Sequence, residues 1–243
     1  QTADPDYLNG NIVLNKILVA QEKEKFVLDS IYLRARSNDT SNTILLFSPF
    51  LRAKVEGKYK LTELGNALSN SIAKYYNSNP NQPKKKTDSQ YFNFSAQLNG
   101  HPFLFQFLPD LKKLDPVTLS GRYNSEGDSI KIDGKIPRVI YGANTINNAL
   151  LKVDTRNEAI NYNLFVDEIK SGSIILPKTS LTGTVQDNIL GYKLSVKDKS
   201  EKERYLIAGN AEAEDNNTII SLDPKNLKLN YDAWNIPAEN RIE

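Results

Sequence analysis

The chain reads as an all-β protein with one or two short helices, its antiparallel strands following one another as a meander. Two observations predict this. Apolar side chains recur at every second position in segment after segment, which is the period a strand needs to bury one face and wet the other. Short polar turns, such as Ser125-Glu126-Gly127-Asp128, Thr155-Arg156 and Asp187-Asn188, separate those segments and make neighbours antiparallel. The period lengthens to three and four residues in only one clear stretch, so helix is a minor component.

Taken in order, the first dozen residues carry little pattern, and Asn11 to Val19 is strand-like without clean alternation. Phe26 to Arg36 places Ile31, Leu33 and Ala35 on one face. Thr43 to Tyr59 reads as one extended run with Leu45, Phe47, Leu51, Ala53, Val55 and Tyr59 together. Pro49 cannot donate to a ladder and implies an edge or a bulge there. Leu61, Leu64, Leu68, Ile72 and Tyr75 then keep helical spacing, which predicts an amphipathic helix over 61–76 with Thr62 as its N-cap. Its apolar stripe is expected to pack on the sheet. Residues 77–90 read as a mobile polar loop, and Lys84-Lys85-Lys86 within it as solvated charge. Tyr91 to Leu98 returns to strand. Pro102 to Leu114 reads as short helical turns, with Pro102 and Pro109 suited to first helical positions. Residues 1–115 thus form a β segment with a helix and a loop.

From 116 to 243 the strands come in quick succession as an antiparallel meander. The clearest is Asn157–Asp167, where Ile160, Tyr162, Leu164 and Val166 share one side. The same alternation gathers Leu119 with Tyr123, Leu181 with Val185, Tyr192 with Leu194 and Val196, Tyr205 with Ile207, and Leu227 with Leu229. Nothing catalytic interrupts these residues, so the apolar face itself is the candidate working surface. A weak internal echo runs through it, with an apolar residue two positions before a glycine. The glycines are Gly57, Gly121, Gly183 and Gly209, each on the apolar side of its strand. Two readings stand: the glycines curve the sheet, or their missing side chains leave room for a guest.

Composition excludes several chemistries. There is no cysteine, so disulfides, thiolate catalysis and cysteine-based zinc sites are absent. His101 is the single histidine, sits in a turn-like Asn-Gly-His-Pro stretch, and has no partner for a triad or a metal site. No phosphate-binding glycine loop or EF-hand loop is present, and an enzyme is not expected. No cofactor is called for. The net charge of +2, with 31 basic against 29 acidic side chains, gives no overall case for nucleic acid. No apolar run is long enough to span a bilayer. The chain opens on Gln1 without methionine and is expected to be a processed or interior segment.

Two stretches resemble a known family. One is the ending Leu227-Lys-Leu229-Asn-Tyr231-Asp-Ala-Trp234-Asn-Ile236-Pro-Ala-Glu-Asn240-Arg-Ile242, a strand leading into W-x-I-x-x-x-N-x-I. The other runs from Asp29-Ser30-Ile31-Tyr32-Leu33 through Ser48 to Gly57-Lys-Tyr59-Lys-Leu61 and the amphipathic helix. Together they resemble the periplasmic region of the TamB family, the AsmA-related translocation and assembly module proteins. The resemblance implies an elongated, curved sheet forming one continuous trough with an apolar interior. It implies a periplasmic segment of an inner-membrane-anchored protein whose anchor lies outside this chain. Phospholipid acyl chains and an outer-membrane barrel of the assembly type are the implied partners. The residues lining such a groove would be Leu119, Tyr123, Ile160, Tyr162, Leu164, Val166, Leu181, Val185, Tyr192, Leu194, Val196, Tyr205, Ile207, Leu227 and Leu229. The competing account is a closed β-sandwich, serving as a secreted adhesion or glycan-binding module, in which the same side chains are simply core.

Overall fold

A computed structural model of the chain describes residues 4–21, 24–78, 85–214 and 217–242. Its fifteen strands belong to one open, curved antiparallel sheet. They are β1 (Gly10–Gln21), β2 (Glu24–Ser37), β3 (Asn42–Phe47), β4 (Leu51–Lys58), β5 (Tyr91–Leu98), β6 (Leu111–Leu114), β7 (Val117–Asn124), β8 (Ser129–Tyr141), β9 (Asn144–Arg156), β10 (Ala159–Ser171), β11 (Ile174–Gln186), β12 (Ile189–Lys197), β13 (Glu203–Glu214), β14 (Asn217–Leu229) and β15 (Asp232–Ala233). Each strand pairs with the next in sequence, except that β6 pairs with β8 and β7 lies between β5 and β8. Among the described residues there is no second sheet, so the layer a sandwich requires is missing.

Three pairs of short apolar runs, each of which alternation reads as two strands, are single long ones. Ser129–Asp133 and Pro137–Tyr141 join as β8, with a break in the ladder at Pro137. Gly172–Pro177 and Ser180–Gln186 join as β11 through Lys178, whose φ of +45° bends the strand without shifting its register. Asn217–Leu222 and Leu227–Tyr231 join as β14, in which Asp223 to Asn226 bulge out between Leu222 and Leu227. Tyr231 itself lies in the turn after β14, at a φ of +76°.

The run from Thr43 to Tyr59 is corrected in the opposite sense. It is two strands joined by a turn, closed by Ser48, whose Oγ accepts the N–H of Leu51 at 2.9 Å. The turn reverses the parity of the face. Leu46 pairs with Ala53 and Ile44 with Val55, whereas Leu45 and Phe47 fall on the other side.

The helix α1 (Leu64–Ile72) is shorter than expected, although turn hydrogen bonds carry the coil from Lys60 to Tyr76. Thr62 is not its cap. Asp6, held in a single 3-10 turn, accepts the Thr62 N–H at 2.9 Å and its hydroxyl at 2.7 Å. The loop expectation for 77–90 falls partly on 79–84, which lie outside the described residues. The second helix, α2 (Pro102–Phe107), starts on Pro102 as expected, with the His101 Nδ1 accepting the Phe103 N–H at 3.2 Å. Pro109 starts no helix; the residues after it form β6. Phe103 stacks on Phe50 at 5.4 Å and leans on Phe26, so α2 lies at the strand ends of β2 and at the β3–β4 turn.

A buried cluster joins α1 to the sheet, made of Tyr59, Ala67, Phe92, Tyr123 and Ile130. The Tyr59 hydroxyl has no hydrogen-bond partner there, and burial pushes its pKa from 10.0 to about 12. Above pH 10 the unfolded chain releases that proton first, so stability falls as pH rises through the window up to 12. Tyr59→Phe is therefore expected to be neutral or stabilising by up to about 1 kcal/mol, and to lessen the alkaline loss. Urea titrations of both chains across pH 8 to 12 would check this, and a clear destabilisation by Tyr59→Phe would contradict it.

Candidate functional site

The cross-strand register assembles one continuous row. Ile12, Leu33, Leu46, Ala53, Ala96, Leu119, Gly134, Leu151, Leu164, Leu181, Leu194, Ile207 and Leu227 are successive partners from β1 to β14. Twelve strand spacings separate its ends, a path of roughly 60 Å. No position in it is polar. Leu119 is 39% exposed, and Leu151, Leu164, Leu181, Leu194, Ile207 and Leu227 are half-buried.

Parallel rows flank this line on the same face. On one side run Val55, Phe94, Gly121, Ile132, Val153, Tyr162, Gly183, Tyr192 and Gly209, and beyond them Phe92, Tyr123 and Ile130, then Ile160, Val185, Leu190 and Ala211. On the other side Ile136, Ala149, Val166, Thr179, Val196 and Tyr205 follow one another. No charged side chain falls in any of these rows. All but one of the residues expected to line a groove sit within them, and Leu229 lies at the end of β14 beside β15. The outer rows are the more deeply covered, with Tyr123, Val166 and Val196 each under 5% exposed. The expected lining left out Ile12, Leu33, Leu46, Ala53, Ala96, Gly134 and Leu151. For Leu46 the cause was the unrecognised turn at Ser48, which inverts the face.

Of the two readings of the four repeated glycines, the structure supports curvature and close approach. A Cβ on Gly57, Gly121, Gly183 or Gly209 would come within 1.9 to 2.2 Å of a carbonyl oxygen of the adjacent strand. The space over three of them is also taken. Phe94 lies over Gly121, Tyr162 over Gly183 and Tyr192 over Gly209, with the nearest side-chain atom 2.5 to 2.7 Å from where that Cβ would stand. The Tyr162 hydroxyl crosses Gly183 to donate to the Gly191 carbonyl at 3.0 Å. Burial pushes the pKa of both tyrosines up, which keeps their hydroxyls neutral.

Helix α1 borders this face. Its C-terminal end is held by a polar cluster around Asp128, a residue at a φ of +45° in the β7–β8 turn. Ser71 Oγ donates to Asp128 Oδ1 at 2.8 Å and lies 2.9 Å from the Tyr123 hydroxyl. Lys74 pairs with the other carboxylate oxygen, and the Tyr75 hydroxyl donates to the Asp128 carbonyl at 3.1 Å. The Asp128 bond draws the Lys74 pKa upward. Beyond the helix the chain reaches the β11–β12 turn, where the Asn188 N–H donates to the Tyr75 carbonyl and Asn188 Oδ1 accepts the Asn77 N–H, both at 2.9 Å. Helix and extension therefore follow one rim, past the ends of β9 and β10, and no residue of the central row belongs to the cluster beneath α1.

The W-x-I-x-x-x-N-x-I ending lies along the free edge of β14. Trp234 N–H donates to the Leu227 carbonyl, Asn240 bonds both main-chain groups of Leu222, and Ile242 exchanges two bonds with Ile220. The Asn240 side chain stands in for backbone beside the β14 bulge, which accounts for the spacing of the motif. Among the described residues no group of His, Cys, Asp or Glu is placed to hold a metal ion, and no helix is long and apolar enough to cross a membrane.

The glycine packing sets a contrast. Gly183→Val and Gly209→Val are expected to cost about 1–3 kcal/mol each through overpacking. Gly65→Ala, in α1 with nothing within 4 Å of its new methyl, should be neutral or stabilising by up to about 1 kcal/mol. Denaturant midpoints of the three variants check the ranking. Comparison of the chain with protein-family models, curated proteins and solved structures yields no match.

Proposed function

We propose that the chain is a lipid-shielding segment with no chemistry of its own, in which the apolar face is the interior of a trough for phospholipid acyl chains. The observation that carries this reading is the unbroken apolar row over thirteen strands, half-open along its centre and free of charge on either side. Each methylene removed from water contributes about 0.8 kcal/mol, so an acyl chain of a dozen methylenes gains roughly 10 kcal/mol in such a lining. A path of roughly 60 Å is several times the depth of one bilayer leaflet, about half of a 30 Å hydrocarbon core. That length suits passage along a track better than retention in a pocket. A uniform lining of Leu, Ile, Ala and Gly offers neither a deep well nor a high barrier to sliding, and headgroups stay wet along the open rim.

The family that the two motifs resemble gives the setting. In that reading the chain is a periplasmic part of an inner-membrane-anchored TamB-like protein. It carries phospholipid between the inner and outer membranes and works with an outer-membrane barrel of the assembly type. The adhesion or glycan-binding alternative assigned to a sandwich is less favoured, since its second sheet is lacking among the described residues.

The test is direct. Protein taken from cells and examined by native mass spectrometry should carry phospholipid. Leu164→Asp and Leu194→Asp should lose that lipid and block transfer between vesicles while keeping the β circular-dichroism spectrum, and Asn163→Asp on the opposite face should change neither. Unfolding of both leucine variants would mean a closed core, and undiminished lipid in them would remove the trough from the account.

A further inference from the structure

The face opposite the apolar rows is not uniform in charge. Over residues 30–37 of β2 and over β3, β4, β5 and β7 it presents Arg34, Arg36, Arg52, Lys54, Lys58 and Arg122, all exposed, against the single carboxylate of Glu56. The chain as a whole is nearly balanced, so this is segregation and not a surplus. Glu56 neutralises only its neighbour Lys54. Arg52 and Arg122 have no carboxylate partner among the described residues.

The same surface holds a local hollow. A depression of about 610 Å³ lies over it, lined by Tyr32, Leu45, Phe47, Arg52, Gln97 and Ser120 among others. Nine of its thirteen lining residues alternate with the apolar rows along their strands, which places it on the opposite side of the sheet, and Leu46, Ala53, Ala96 and Leu119 of the central row lie between them in its floor. Two guanidinium groups are held against rings, Arg52 in the lining and Arg34 at its border beside Leu45. Arg52 lies 5.0 Å over Phe47 and Arg34 lies 5.5 Å over Tyr32, and Arg34 Nε also donates to Asn11 at 3.3 Å. A guanidinium lodged on a ring loses little further freedom when it binds, and its planar fork fits a carboxylate, sulfate or phosphate.

We propose that this depression binds a strand of acidic polysaccharide. The anionic groups pair with Arg34 and Arg52, while Gln97, Ser95, Thr118 and Ser120 offer hydrogen bonds to sugar hydroxyls. Basic side chains two strands apart stand about 10 Å from one another, a spacing that calls for charge repeated along a polymer. Nucleic acid is a poorer fit, because stacking needs open ring faces and guanidinium groups lie over both Phe47 and Tyr32. A flat membrane surface is a poorer fit to a concave site. This surface is separate from the apolar face, so it stands whether or not the lipid reading does.

Labelled polygalacturonate should bind the intact chain with an affinity that falls as salt is raised, and neutral dextran should not bind. Arg34→Gln with Arg52→Gln should weaken polygalacturonate binding about tenfold or more. Lys152→Gln with Lys193→Gln removes the same charge from the same face outside the depression and should leave it nearly unchanged. Retained circular dichroism would establish that both double variants fold. Equal losses in the two double variants would reduce the effect to net charge and overturn the proposal. So would stronger binding to a thymidine oligomer or to phosphatidylglycerol vesicles, or no binding at low salt.

Discussion

Slipping any one strand by a single residue would turn its apolar side chains to the wrong side of the sheet. The continuity of the face from Ile12 to Leu227 depends on twelve pairings each keeping register, in a sheet with no second layer among the described residues to correct an error. What pins the register is visible at the glycines. Tyr162 lies over Gly183 and Tyr192 over Gly209, on positions where even a methyl group would collide with the next strand. A slip would bring Thr184 or Asn210 under those rings, so aromatic and glycine act as a matched pair. The same pairs let the backbone bend, and curvature and register share one cause.

A lone sheet also has to cover its strand ends. Helix α1 does this along one rim by spending its apolar stripe on Tyr59, Phe92, Tyr123 and Ile130, and its polar end on Asp128 and Asn188. The α2 aromatics do it at the ends of β2 and at the β3–β4 turn. Because both helices sit at strand ends, the middle of the sheet has neither a lid nor a filler among the described residues. The half-buried state of Leu164, Leu181 and Leu194, beside the near-complete burial of Val166 and Val196, follows from that arrangement.

Much of this was legible in the sequence because a period of two survives wherever one face is apolar. The strands from Val117 onward and the residues of the candidate face were readable for that reason. What was not legible depended on geometry that alternation does not encode. Lys178 bends β11 with a left-handed backbone conformation that no residue type demanded, and the four-residue bulge in β14 looks in sequence like an ordinary turn. The Ser48–Phe50 turn joined two runs whose apolar residues seemed to continue one pattern, which put Phe47 on the wrong face. The role of Asp6 at the start of α1 could not be read at all, since it is separated by 56 residues from Thr62. The basic depression was hidden by a charge balance that holds only for the whole chain.

The central claim is that the half-open apolar row meets acyl chains and the other face does not. A photoreactive phenylalanine analogue placed singly at Leu151, Leu181, Lys152 and Thr182, and activated in intact cells, measures this directly. The account predicts phospholipid adducts at Leu151 and Leu181 and none at Lys152 or Thr182. Adducts at all four positions alike, or at none, would contradict it.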